Sequence, residues 1–330
     1  MKKTIKRIIA SLRIFKPLKV SNNLMILNYH RLNDPLKPQL FDDGVFGPNG
    51  ARFEMEMNWL KKETQILSQD ELIDVLYNNK KVSGVCSMVT FDDGYVDNYE
   101  IAYPILKKLS IPAIFFIPTK HINERTLGWW DITAYLVKLT KLKSVNFHGR
   151  KWNLLDRLNT ISDIILELKK MDPKKVDFFL EDLANALEVP LPSLELQDKE
   201  LMTWEQIKEV SRNGISIGSH THEHVILSKQ DLSDMRVQVK RSKDILEEKL
   251  DIQIKTLAYP VGGYDHFNEE NMRITKELGF KIGFSFLTGV NRFGSIDPFN
   301  VKRGTSQPDW QNLDLALAFP KRYFPSVRNN

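Results

Sequence analysis

The stretch Val85-Cys86-Ser87-Met88-Val89-Thr90-Phe91-Asp92-Asp93-Gly94 decides how the rest of the chain is read. A short run of strand character ends abruptly on two carboxylates and a glycine. The next segment, Asn98 to Leu109, has helical spacing, and a second buried strand, Ile111 to Ile117, is entered through Pro112. That order is a βαβ unit. Outward from it the alternation recurs. Leu24 to Tyr29 is an earlier apolar strand, followed by helical periodicity from Phe53 to Leu76. Later, Gly214 to Gly218, Leu232 to Leu250, Thr256 to Tyr259 and Asn268 to Leu278 read strand, helix, strand, helix. Repeated βα units with short connections favour a parallel sheet, open or barrelled.

Between the two halves, roughly residues 125–200 break the alternation with a helix-rich stretch. Leu136, Leu139, Ile161, Ile164, Ile165, Leu168, Phe178 and Phe179 mark its apolar faces, and Pro190 and Pro192 punctuate its exit. It reads as an insertion within one domain. The 330 residues are 42% hydrophobic and include a single cysteine, which supplies a sizeable core and excludes a disordered chain or a disulfide-stapled mini-domain. Cys86 sits in an apolar run and reads as a buried small hydrophobe rather than a catalytic thiol.

The net charge of +5 is uneven. Residues 1–20 carry seven Lys and Arg and no acid, which leaves 40 basic against 42 acidic residues elsewhere. A nucleic-acid binder spreads its basic excess through its domain, so no nucleic-acid partner is expected. Ile5, Ile8, Ile9, Leu12 and Phe15 fall at helical spacing among those charges. An amphipathic segment of this kind suits an anionic membrane surface; a solvated terminus is the alternative. No apolar run there is long enough for a signal-peptide core or a bilayer span, so the site is expected to face the cytoplasm, peripherally at the inner face of the membrane.

Asp92 and Asp93 stand at a strand C-terminus, where α/β folds place their sites. On a turn, one carboxylate can ligate a cation while its neighbour serves as a base, although a bare Asp-Asp-Gly is more often a plain turn. Ser219-His220-Thr221-His222-Glu223-His224 places three of the seven histidines directly after a strand. Imidazoles four positions apart can meet one cation; exposed loop histidines are the alternative. One Asp with two His makes an open metal site of hydrolase pattern. Trp129, Trp130 and Asp131 form an aromatic cluster entering the insertion, suited to a sugar ring or to buried packing.

Thr90-Phe91-Asp92-Asp93-Gly94-Tyr95 and His220-Thr221-His222-Glu223-His224 resemble the first two motifs of the NodB-homology polysaccharide deacetylases, carbohydrate esterase family four. Asn28-Tyr29-His30-Arg31 and Ala258-Tyr259-Pro260-Val261-Gly262-Gly263-Tyr264 are similar to outer stretches of the same family. The likeness extends from about residue 24 to about residue 306. It implies an irregular (β/α) barrel with an inserted helical region over residues 21–330, behind the N-terminal segment 1–20. It also implies Asp93, His220 and His224 as ligands of a divalent metal, zinc being expected, and Asp92 as general base. An oxyanion-binding amide falls near Val261, and Tyr95, Val261, Tyr264 and Trp130 fall on the substrate side. The implied reaction is removal of N-acetyl groups from an amino-sugar glycan or a lipid-linked glycan precursor.

Two departures from the family pattern stand out. Many relatives carry an Arg where this chain has Ala258, so Arg303 in Val301-Lys302-Arg303-Gly304 is expected to orient Asp92 instead. The family's late general-acid histidine is missing, since the last histidine is His266. His30, His222 and His266 are therefore the candidate proton donors, with His30 carried as the catalytic one. Thr221 either supports the histidine loop by hydrogen bonding or simply forms it. His121 and His148 have no constellation around them and are expected at the surface. A non-catalytic glycan-binding protein, or a hydrolase of an O-ester or formamide, would share these motifs.

Overall fold

A strand that is apolar on both faces is stable only when both faces are covered, and Val85–Phe91 meets that condition inside a curved sheet. The computed structural model describes residues 22–32, 39–287, 289 and 291–305, so the amphipathic reading of residues 1–20 lies outside the described residues. Among these, the strands are β1 (Asn23–Tyr29), β2 (Gln65–Ile66), β3 (Val85–Phe91), β4 (Ala113–Ile117), β5 (Ser144–Phe147), β6 (Arg150–Asn153), β7 (Ile215–Ser219), β8 (Thr256–Ala258), β9 (Ile282–Ser285), β10 (Asn291–Arg292), β11 (Val301–Lys302) and β12 (Gly304–Thr305).

The main sheet runs β10-β1-β3-β4-β7-β8-β9-β11, parallel from β1 to β11. Its closure rests on one short segment. β11 pairs with β9 and β12 pairs with β1, both in parallel, so residues 301–305 join the last strand to the first. The result is a nearly closed, irregular barrel with Arg303 at the seam.

The period-2 alternation of strands sorts the core into two faces. Met25, Leu27, Val89, Phe91, Phe115 and Ile117 pack outward against helix residues such as Phe53, Leu106, Ile207, Val239 and Ile274. Leu24, Ile26, Cys86, Met88, Ile114, Phe116, Phe284 and Val301 form a separate cluster on the inner face, with Cys86 fully buried. Continuing by two residues along those inner rows leads to Asn28, Thr90, Asp92 and Arg303. The barrel interior is therefore apolar below and polar at the C-terminal ends of its strands.

Helix starts follow side-chain caps. Ser68 with Glu71 and Thr203 with Gln206 form reciprocal capping boxes, and the Asp231 carboxylate accepts from the Asp234 amide. Two helical stretches differ from the sequence reading. The periodicity from Phe53 to Leu76 is two helices, Gly50–Glu63 and Gln69–Tyr77, split by β2 because Ser68 caps a new start. Asn98 to Leu109 opens with a π-helical turn over Asn98–Ala102; Pro104 has no N–H to give to the preceding turn.

The interrupting region holds helices Trp129–Leu139, Arg157–Leu168, Val176–Leu187 and Leu194–Asp198. It also holds the antiparallel hairpin β5–β6, which helical periodicity gave no sign of. Residues from Trp130 to Val189 bury a hydrophobic cluster of their own, including Leu136, Trp152, Ile164 and Leu183.

Candidate active site

The β3 strand ends in a turn that only certain residues can make. Asp93 and Gly94 take left-handed backbone angles, with φ of 74° and 70°. A Cβ at Gly94 would also lie 3.2 Å from the Ile122 Cδ1 atom. Thr221, His224 and Val261 are left-handed too, at φ of 64°, 52° and 59°. A β-branched residue such as Val261 rarely adopts this geometry, and strained backbone of this kind gathers at functional sites.

These turns bring Asp92, Asp93, His220 and His224 to one cavity of about 270 Å³ at the C-terminal mouth of the barrel. All four side chains are buried. The Asp93 Oδ1 atom lies 3.5 Å from His220 Nε2 and 3.4 Å from His224 Nε2. Donors about 2.0–2.1 Å from a tetrahedral cation are spaced about 3.4 Å apart, so the three residues can hold a divalent metal. Asp93 Oδ1 has no hydrogen-bond partner among the described residues despite its burial. Burial, with the neighbouring charges of Asp92 and Asp131, pushes the Asp93 carboxyl well above the ordinary carboxylate range. A cation between the ligands reverses that penalty. His220 Nδ1 meets the Ala258 carbonyl at 2.8 Å, which directs the Nε2 lone pair inward, and burial lowers the pKa of both ligand histidines and so favours the neutral imidazole.

Asp92 has a different environment. Arg303 donates to its Oδ1 at 2.7 Å and its Oδ2 at 2.9 Å, and Asn28 donates to Oδ2 at 3.1 Å. Asn28 Oδ1 in turn accepts from Arg303 at 2.8 Å and from Thr90 Oγ1 at 2.6 Å. Burial, the largest single influence, would raise Asp92, but the charges of Arg303, His220 and His30 and the Arg303 hydrogen bonds together outweigh it and hold the carboxyl at about 2. The two adjacent carboxylates are thus pushed apart by their surroundings.

Of the three candidate proton donors, His30 alone lines this cavity, with Nε2 3.9 Å from Asp92 Oδ2. His222 Nδ1 is committed to Thr119 Oγ1 at 2.8 Å, and His266 Nδ1 accepts from the Gly263 amide at 3.0 Å. Val261 lines the cavity, as does Trp130, whose ring lies 4.4 Å from that of His224.

Several expectations need correction. Tyr95 does not line the cavity: its hydroxyl donates to Asp131 at 2.7 Å and accepts from the Trp130 indole at 2.8 Å, which buries it under the site. Tyr264 is 45% exposed and is not among the residues that line the cavity, which leaves its substrate-side reading untouched. The Thr221 hydroxyl is buried with no partner among the described residues; the loop is held by other groups, with the Thr221 carbonyl accepting from the Thr119 amide and the Thr221 amide donating to Ser219 Oγ. His121, expected at the surface, is buried against Trp130 and His224, since the helix after β4 begins at the barrel mouth. His148 is exposed.

Sequence reasoning gave four groups no role of their own, although Asn28, Arg31 and Asp131 fall within stretches it singled out. Asp131 anchors the Tyr95 hydroxyl and the Asp42 amide, the latter at 3.0 Å. Arg31, fully buried, pairs with Asp97 and Glu200 and lies over the Tyr95 ring at 4.3 Å. Asn28 and Lys169 complete the set. Inward alternation along β1 could have revealed Asn28; no local signal marks Lys169.

The family model for polysaccharide deacetylase matches residues 79–283. The Bacillus subtilis (strain 168) protein YxkH, which carries the family's name, is 26% identical over 239 residues, covering 72% of this chain. This chain spans only 58% of that relative's length. Poly-beta-1,6-N-acetyl-D-glucosamine N-deacetylase of Staphylococcus aureus (strain MRSA252) is 24% identical over 286 residues, 80% of this chain and 72% of that one. Among solved structures, the Streptococcus pyogenes deacetylase PplD in complex with acetate superposes with a TM-score of 0.60 at 20% identity, over 89% of this chain and 98% of that one. IcaB from Ammonifex degensii also gives 0.60, at 21% identity over 90% and 97%. These two likenesses bear on the barrel itself. Since the family model runs through both the Asp-Asp turn and the histidine loop that meet at this cavity, the chain belongs to the polysaccharide deacetylase family.

Proposed function

We propose that this protein hydrolyses the N-acetyl groups of an amino-sugar glycan, with zinc as its metal. The observation that carries the reading is the division of labour between adjacent carboxylates: Asp92 locked to Arg303, Asp93 facing two neutral histidines. A bound divalent cation would acidify water and polarise the amide carbonyl. Two imidazoles, one carboxylate and an open position suit zinc.

The chain's own residues supply the rest. Asp92, ionised at every pH above about 2, accepts the proton of the attacking water, while Arg303 and Asn28 fix its carboxylate. The left-handed Val261 turn, at the lining of the cavity, supports a backbone amide as the group that meets the developing oxyanion. His30, 3.9 Å from Asp92, is placed to pass a proton to the leaving nitrogen as the C–N bond breaks, giving acetate and a free amine. Burial holds His30 down to about 4, so the imidazole starts neutral and gives the leaving nitrogen a proton only after taking over the one that Asp92 has drawn from the attacking water. Trp130 supports an aromatic wall for the sugar at the cavity it lines.

The name of the S. aureus relative supports an N-acetylglucosamine polymer as the substrate class. The basic segment 1–20 supports a substrate met at a membrane surface on the cytoplasmic side, as a glycan precursor on a lipid carrier. Loss of residues 1–20 with unchanged membrane fractionation would count against that location.

The test is acetate release from N-acetylated oligosaccharides and lipid-linked N-acetyl sugars by metal-loaded protein beside Asp92→Asn. Release that requires both metal and Asp92 is expected. No release across the panel by protein that binds metal would overturn the reading in favour of glycan binding or another acyl bond.

A further inference from the structure

The catalytic cavity has one wall that the barrel does not build. Ile165 and Lys169 reach it from the end of helix Arg157–Leu168, in the region that interrupts the βα alternation. Lys169 is half-buried, and its ammonium has no hydrogen bond or ion pair among the described residues. Burial lowers its pKa, and the acid whose charge it feels is Asp42, on the opposite loop. One oxygen of Asp42 already accepts from the Gly44 amide at 3.0 Å.

The charges of the lining can be weighed. Asp42, Asp92 and Asp93 contribute three negative charges, and Arg303 and Lys169 two positive ones. Arg303 is spent on Asp92. With a divalent cation at Asp93, His220 and His224, the lining becomes net positive by one; Asp42 is the acid whose charge Lys169 feels, but no hydrogen bond joins them among the described residues, which leaves the Lys169 ammonium open to a further anion. A partly desolvated ammonium is costly unless an anion meets it.

We propose that Lys169 is a specificity residue that pairs with an anionic substituent, a carboxylate or a phosphoryl group, on the amino sugar whose acetamide lies against Asp92 and Asp93. This inference rests on the deacetylase reading of the same cavity. It narrows the substrate class to acidic or phosphorylated N-acetylated sugars, and it gives the interrupting region a role in substrate choice.

Binding is measured by titrating metal-loaded protein with three probes that lack a scissile amide: methyl glucoside, glucuronate and glucose 1-phosphate. The native chain binds at least one anionic probe tenfold or more tighter than the glucoside. Lys169→Met removes that margin and Lys169→Arg keeps it, with unchanged melting temperatures reporting an intact fold. Preference for glucuronate assigns a carboxylate, and preference for glucose 1-phosphate assigns a phosphoryl group. Equal affinity for all three probes overturns the proposal. So does a margin that survives in Lys169→Met, since the metal alone then holds the anion. Acetate release is read separately: release without anion preference sinks this inference alone, whereas anion preference without release sinks the deacetylase reading and leaves Lys169 as an anion site.

Discussion

Arg303 lies 211 positions from Asp92 in sequence, yet its guanidinium bonds to both oxygens of that carboxylate, at 2.7 and 2.9 Å. The pair spans the barrel seam, so the contact that sets the ionisation of Asp92 also lies where the sheet closes.

Arg303→Met removes one partner of a fully buried ion pair, which costs about 3–5 kcal/mol. Urea denaturation at pH 7 should read a loss of that size, together with a fall in kcat/KM. The sign with pH follows from the depressed native value. Asp92 sits at about 2 when folded, below its ordinary 3.8, so its stabilisation is present above about pH 4 and disappears as pH falls toward 2. In Arg303→Met that acid dependence shrinks, and the acid limb of the rate profile moves up. Arg303→Lys restores little, because a lysine cannot bond both oxygens in the same plane.

Asp93→Asn and His220→Ala each take away one donor of the three-residue metal site. Metal content by elemental analysis should fall well below one per chain in both. The native protein should gain about 2.7 kcal/mol at a metal concentration one hundred times its Kd, seen as a rise in melting temperature that a chelator reverses. Both variants lose that rise.

Asp92→Asn keeps the three metal donors. Acetate release should drop about 10²–10⁴-fold with metal content retained, the signature of a lost base. An equal loss of metal would assign Asp92 to the ligand set.

His121 is buried and held at about 3, far below its ordinary 6.5, mainly by desolvation. Between those values the unfolded chain binds a proton that the native chain refuses, so stability falls as pH drops from about 6.5 toward 3. The slope from one such group is at most about 1.4 kcal/mol per pH unit. Denaturation midpoints measured from pH 7 to 4 should flatten by up to that amount in His121→Gln.

Gly94→Ala puts a Cβ 3.2 Å from Ile122 Cδ1 on a backbone with φ of 70°. A cost of about 1–3 kcal/mol is expected in denaturant midpoints, with weaker metal binding because Asp93 shares the turn.

Much of the barrel was legible because its signals are local. The apolar run Val85–Phe91 became β3 with those same bounds, and Leu232–Leu250 became a helix that Asp231 caps. The Asp-Asp-Gly turn and the histidine loop stood out as a candidate metal site for the same reason, while the division into ligands and base came from the family resemblance. The hairpin β5–β6 was not legible, since its strands are short and its apolar positions sparse. His121 was misplaced because burial is a property of what packs above a helix.

By itself, then, the sequence determined the βα alternation and brought forward Asp93, His220 and His224 as candidate metal ligands and Asp92 as the candidate base, all of which are written in runs of a few residues. Only the tertiary structure decided that Arg303, Asn28 and Thr90 converge on Asp92, that Tyr95 turns away into a network with Asp131 and Trp130, and that Lys169 reaches the cavity. These are contacts across the sheet closure and between the barrel and its interrupting helices. Their partners are chosen by which inner rows of strands face each other, and no local pattern encodes that choice.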